Sequence, residues 1–148
     1  MSASPRRITR GSAGRAVARK LALQALYSWQ LNPMPWQDLL QQFGEGEEAE
    51  GVDRGYLREL LESICNDVVA LEAQLAQWTE LPGRELDPIE KAVLLIGVQE
   101  LRSRPEVPFR VAISEAVSLA RRFGATDGHK FVNAVLDRAA RTLRPNEH

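Results

Sequence analysis

Seven consecutive residues, Ala92 to Val98, carry no charged or polar side chain, and Asp87-Pro88-Ile89-Glu90 stands just before them. Periodicity alone leaves such a run open between a buried strand and a buried helix. The preceding residues decide. Asp87 is a capping acid, Pro88 sits where the first helical residue falls, and Glu90 takes the third position. The pattern continues through Glu100 and Leu101. A helix without a polar face over two turns has to be enclosed by other elements. The rest of the chain is therefore expected to supply helices that surround it.

Those helices are legible by spacing. Ser12 is placed to cap a first helix, whose buried face is Ala18, Leu21, Ala22, Ala25, Leu26 and Trp29, ending near Leu31 before Asn32-Pro33-Met34-Pro35. A short second helix runs from Trp36 to Phe43, anchored by Trp36, Leu39, Leu40 and Phe43. Gly44 to Gly51 reads as an exposed acidic loop. Asp53 then opens a long helix in which Leu57, Leu60, Leu61, Ile64, Val68, Leu71, Leu75 and Trp78 step by three and four, up to Pro82-Gly83. After the central helix, Pro105 and Pro108 break the chain. Val111, Ala112, Ala116, Leu119, Ala120 and Phe123 mark the next helix, and a last one runs to about Leu143 before Pro145. No segment alternates as a strand. The expectation is an all-α chain, a single domain of six to seven helices in two three-helix subdomains, about 13–80 and 86–144. Residues 1–12 precede them as a flexible arginine-rich arm.

The near-neutral net charge of −1 conceals a segregation. Residues 1–36 hold 6 basic and 0 acidic side chains, residues 37–100 hold 4 and 15, and residues 101–148 hold 9 and 5. Either folding mixes these segments, or the protein shows a basic and an acidic face, which suits two partners, one of them a polyanion. One cysteine, Cys65, excludes a disulfide framework, and its neighbours Leu61, Ile64 and Val68 make it a core residue. No apolar run is long enough to span a bilayer, and the basic N-terminus lacks the apolar core of a secretory signal, so a cytoplasmic location is expected. The two histidines, His129 and His148, have no metal-ligand spacing, and no phosphate loop is present. No metal, no cofactor and no enzyme activity are expected.

The segment Phe123 to Asp137 carries groups that a core does not require. Gly124 suits the left-handed position after a helix, and Thr126 or Asp127 can cap the next one. Val132, Val135, Leu136, Ala139 and Leu143 form the buried stripe. Phe131 lies about 90° off its centre, on the flank of Asp127 and Arg138. It is either a margin-of-core residue or a platform for stacking. Arginine-rich arms bind nucleic-acid phosphates, and unpaired bases stack on aromatic rings. Arg6, Arg7, Arg10, Arg15 and Lys20, with Arg19, supply the charge. Tyr27, off its helix stripe on the face of Lys20, and Phe131, beside Lys130, supply the rings. Asn133 can read a base edge, although it falls on the other flank of the stripe. The alternative is that Tyr27 only closes a core margin and the arm binds nothing specific.

These segments resemble the NusB family of bacterial transcription antitermination factors. The resemblance rests on Ala25-Leu26-Tyr27-Ser28-Trp29-Gln30, Glu90-Lys91-Ala92-Val93-Leu94, Val107-Pro108 with Ala112-Ile113-Ser114-Glu115-Ala116, and Phe123 to Asp137, in the family's order over nearly the whole chain. Gly128 stands where the family more often has a small polar residue. The resemblance implies an all-helical fold with two three-helix subdomains. It implies pairing with NusE, a small-subunit ribosomal protein, and joint binding of boxA single-stranded RNA within an antitermination complex on RNA polymerase. By the same resemblance, the arm, Tyr27, Asp127, Lys130 and Phe131 form the RNA side, and Glu90 touches NusE. The family contains homodimers as well as monomers. Two other readings are a stand-alone relative of the NusB-like domain of RNA cytosine methyltransferases, whose catalytic region these 148 residues do not contain, and a helical protein–protein adaptor without RNA.

Overall fold

In a computed structural model, residues 3–79 and 86–147 are described, with side chains from Ser12 onward. Among these residues the chain is helical throughout and has no strand. In order come α1 (Ala3–Leu31), α2 (Trp36–Phe43), a 3-10 turn (Glu47–Ala49), α3 (Arg54–Asn66), α4 (Val68–Trp78), α5 (Pro88–Ser103), α6 (Phe109–Phe123), α7 (Gly128–Leu143) and a 3-10 turn (Pro145–Glu147). Helix α1 thus begins at Ala3 rather than at the Ser12 cap expected from sequence. A helix there is sterically permitted, because Pro5 falls within the first turn, where no intrahelical N–H is lost. Contacts divide the chain into two compact units, residues 1–65 and 66–148.

In the first unit, α2 packs on α1. Ala18, Leu21, Ala22, Ala25 and Leu26 are buried as the spacing predicts, Leu23 joins them, and Trp29 is only half-buried. Leu39, Leu57, Leu61 and Ile64 fill the core from α2 and α3. The Asp53 carboxylate caps α3 by accepting from the Tyr56 N–H at 3.0 Å, and the Asp53 N–H donates to the Gly14 carbonyl at 3.1 Å. Gly46 and Gly51, with φ of 94° and 80°, let the acidic loop turn back so that Ala49 is buried.

The long helix expected over residues 53–78 is two helices. Asp67 leaves the helical region (φ −112°, ψ 19°). Asn and Asp side chains compete with the backbone for hydrogen bonds and weaken a helix interior. The apolar steps continue across the break, so spacing alone does not reveal it. The boundary between units accordingly falls at 65/66, not in the 80–86 region, and α4 belongs with α5 and α7. Arg102 donates to Asp67 at 2.8 Å, Lys91 pairs with Glu72, and Arg138 donates to the Trp78 carbonyl.

Helix α5 has the predicted character. Asp87 accepts from the N–H groups of Ile89 and Glu90 at 3.1 and 3.2 Å, Pro88 is the first helical residue, and every residue from Ala92 to Leu101 is buried. Its other end is closed by a device that the spacing did not indicate. The Arg144 guanidinium, 8% exposed, donates to the carbonyls of Leu101 (2.7 Å), Arg104 (2.8 Å) and Glu100 (3.2 Å). At Glu100 and Arg104 it adds to backbone donors, the Arg104 N–H (2.9 Å) and the Val107 N–H (3.0 Å), and at Leu101 it reaches the last turn of the helix, where intrahelical donors run out. Glu147 pairs with Arg144 and also accepts from the Phe109 N–H at 3.1 Å, the first turn of α6. On α6, Val111 was expected in the core and is 41% exposed; Ile113 takes that place.

Helices α5 and α7 approach closely at Gly97, where a Cβ would lie 2.7 Å from Leu136 Cδ1. Leu136 is fully buried, so Gly97→Ala forces repacking and should cost about 1–3 kcal/mol, read as a lowered denaturation midpoint. Arg144→Ala should cost about 1–3 kcal/mol, because it removes the buried donor to the Leu101 carbonyl and the second donors to those of Glu100 and Arg104. The same equilibrium unfolding measurement tests both.

Candidate nucleic-acid interface

In the first unit the expected RNA-facing residues lie along α1. Tyr27 is 38% exposed, so its ring is not committed to the core. Lys20, seven residues earlier, shares its face and is half-buried. The Arg15 guanidinium sits 4.3 Å from the Tyr56 ring centroid, and that of the buried Arg19 lies 5.7 Å from the same ring. Stacking of this kind holds a guanidinium plane in place without neutralising it. The side chains of Arg6, Arg7 and Arg10 lie outside the described residues.

In the second unit the expected residues gather at the start of α7. Gly124 is not left-handed: its φ of −94° and ψ of −176° are extended, and glycine fits there because a Cβ would meet the Ala120 carbonyl at 2.7 Å. Asp127 occupies the cap position, yet its side chain makes no capping hydrogen bond. It faces Lys130 at 3.5 Å, with both side chains about three-quarters exposed. An ion pair so open to water contributes little to stability, which leaves both groups able to exchange partners. Phe131 is half-buried, between core and solvent. His129 is also half-buried, and its Nδ1 atom is buried without a hydrogen-bond partner. Asn133, two residues beyond Phe131 and about 200° around the helix, is exposed on the side of α6, so it does not join Asp127, Lys130 and Phe131.

Glu90 is drawn to this place from α5. A Cβ on Gly128 would collide with Glu90 Oε2 and lie 3.1 Å from Cδ. The carboxyl therefore presses on the bare Cα of the first residue of α7, next to Asp127. Removal from water raises its pKa, and the Asp87 charge adds to the rise. Sequence reasoning assigned Glu90 and the α7 start to different partners and had no means of seeing that they touch. The glycine was the available signal, since a missing side chain marks a close approach. Among the described residues no group of three or more His, Cys, Asp or Glu side chains could hold a metal ion, and no helix is long and apolar enough to cross a membrane.

The fold and these surfaces define an all-helical protein whose candidate ligand groups are surface charges and half-covered rings. The NusB family model matches residues 16–141. The transcription antitermination protein NusB of Idiomarina loihiensis is 46% identical over 133 residues, 90% of this chain and 96% of its own length. That of Escherichia coli is 45% identical over 135 residues, 91% of this chain and 97% of its own. A solved T. maritima NusB superposes with a TM-score of 0.76 over 86% of this chain and 90% of its own, at 23% identity, which speaks for the fold. The chain belongs to the NusB family.

The Glu90–Gly128 contact makes a pH prediction. A carboxyl whose pKa is raised on folding binds its proton more tightly when folded. Its ionisation therefore costs stability above the folded pKa, and that cost disappears as pH falls towards the ordinary value of 4.5. Glu90→Gln should stabilise the protein at neutral pH and lose this advantage on acidification. In Gly128→Ala the carboxyl has to swing outward. NMR titration should then place the Glu90 pKa below that of the parent, with stability within about 1 kcal/mol because alanine favours the helix.

Proposed function

We propose that this protein is a transcription antitermination factor that binds boxA-type single-stranded RNA together with NusE and enters an antitermination complex on RNA polymerase. The observation that carries the reading is the open start of α7, where Asp127, Lys130 and half-covered Phe131 stand uncommitted to the core. The chain that presents them is about 45% identical over nine-tenths of its length to proteins named for transcription antitermination. In this reading Lys130 and the arm residues Arg6, Arg7, Arg10, Arg15 and Lys20 hold phosphates, and Tyr27 and Phe131 stack on unpaired bases. The Asp127 carboxylate accepts from the amino groups of a base edge. Glu90, in the acidic middle third of the chain, meets a basic ribosomal protein, since opposite potentials steer such pairs together.

Titration of a boxA-like strand over a salt series, with and without NusE, tests this. Binding should be weak for the chain alone, tighter with NusE, and clearly salt-dependent. Affinity indifferent to both RNA sequence and NusE would overturn the reading. Phe131→Ala should cost about 1–3 kcal/mol of RNA binding if a base stacks on the ring. Unchanged affinity with an unchanged circular dichroism spectrum would return Phe131 to the core margin.

A further inference from the structure

The side of α7 away from Phe131 faces a groove that the reading above leaves unused. It has a volume of about 640 Å³ and lies between α6 and α7. Arg110, Ser114, Val117, Ser118 and Arg121 line it from α6, and Asn133 and Asp137 from α7, with Ile113 and Phe109 among its apolar walls. The spacing on α6 explains the row. Positions 110, 114, 117, 118 and 121 fall within one face at 100° per residue, and the two arginines are about 16 Å apart along the axis. Both are exposed. Arg110 lies over the Phe109 ring at 5.6 Å, and among the described residues neither arginine is in an ion pair. The single acid in the lining, Asp137, is engaged by Arg141 at 3.1 Å, so the groove carries a surplus of positive charge.

A groove of this volume with two guanidinium groups at its ends is suited to a strand of repeated anions. Between them stand hydroxyls and one amide, which donate and accept. Guanidinium is the side chain that best matches the planar oxygens of a phosphate. Ser114 and Ser118 can hydrogen-bond phosphate or the ribose 2′-hydroxyl, and the Asn133 amide offers a donor and an acceptor to one base edge. The apolar walls accept the flat face of that base. An acidic peptide shares the charge but has no planar heterocycle for the walls and the amide to engage.

We infer that the α6/α7 groove is a second single-stranded RNA site, which takes nucleotides flanking those held at the start of α7, with Arg110 and Arg121 on phosphates and Asn133 on a base edge. The inference rests on the RNA-binding reading for the source of the strand. It does not require the boxA sequence.

The test uses the whole chain and the double variant Arg110→Gln/Arg121→Gln, both sites being exposed. The probes are a short boxA-like strand, the same strand with an oligouridine tail, and oligouridine alone, each titrated over a salt series. In the parent the tail should tighten binding and steepen the salt slope by about 1.4, the value for two single-strand phosphates. The double variant should lose that increment and keep the parent's affinity for the short strand. The Asn133 side-chain amide resonance should move with the tailed strand only. A tail that adds nothing in the parent, or an increment that survives in the variant, overturns the inference. So does an Asn133 shift produced by a polyglutamate peptide and not by the tail. If the parent fails to bind the short strand, the boxA reading fails. Oligouridine binding that the double variant weakens would still support the groove.

Discussion

Helix α5 has no side that water can wet over Ala92–Leu101, and the second unit is organised by that constraint. Burial of so much apolar surface from one helix is favourable only if other helices cover it. α4, α6 and α7 all pack on α5 or on one another around it. Enclosure also raises the demand on the helix ends, since buried peptide groups need partners. Asp87 meets that demand at the start of α5 and Arg144 at its end. Gly97 allows Leu136 to lie against the α5 backbone, which fixes how near α7 can come. Wherever α7 is placed, the residues at its start are placed with it.

The candidate surface follows from this packing rather than from loops. Glu90 belongs to the first turn of α5, and Gly128 opens α7, so their contact joins the organising helix to the segment that carries Asp127, Lys130 and Phe131. The two flanks of α7 are chemically different. One offers a ring beside a loose ion pair, the other an amide beside a row of arginines and serines on α6. A single amphipathic helix can present both because its buried stripe, Val132, Val135, Leu136 and Ala139, leaves polar residues on either margin.

Much of the fold was legible in local chemistry. The cap at Asp87, the breaks at Pro35 and Pro108 and the buried α5 run are short-range signals, and all lie where spacing puts them. The break at Asp67 was not legible, because the apolar register runs through it and only the backbone and the Arg102–Asp67 pair reveal the turn. Gly124 shows a related limit. Its residue type announces a constraint, but the constraint is closeness to a carbonyl and not a left-handed backbone. Of the site, Tyr27, Asp127 and Lys130 were readable as exposed, since Tyr27 and Lys130 fall off their helix stripes and Asp127 stands at the cap before α7. Long-range pairings such as Glu90 with Gly128 and Arg144 with Leu101 were not, because no local pattern encodes them.

Arg144 also bears on how the chain matures on the ribosome. The carbonyl it satisfies at Leu101 lies 43 residues upstream. Domains form as units while synthesis proceeds from the N-terminus. The first unit, residues 1–65, contains every residue of its own core before α5 emerges. The second cannot close around α5 until α7 and the Arg144 that follows it have left the exit tunnel, because α7 covers part of the apolar surface of α5. Newly made chains thus pass through an interval in which one half is finished and the most apolar helix of the other is exposed, and it is during that interval that a chaperone has something to hold.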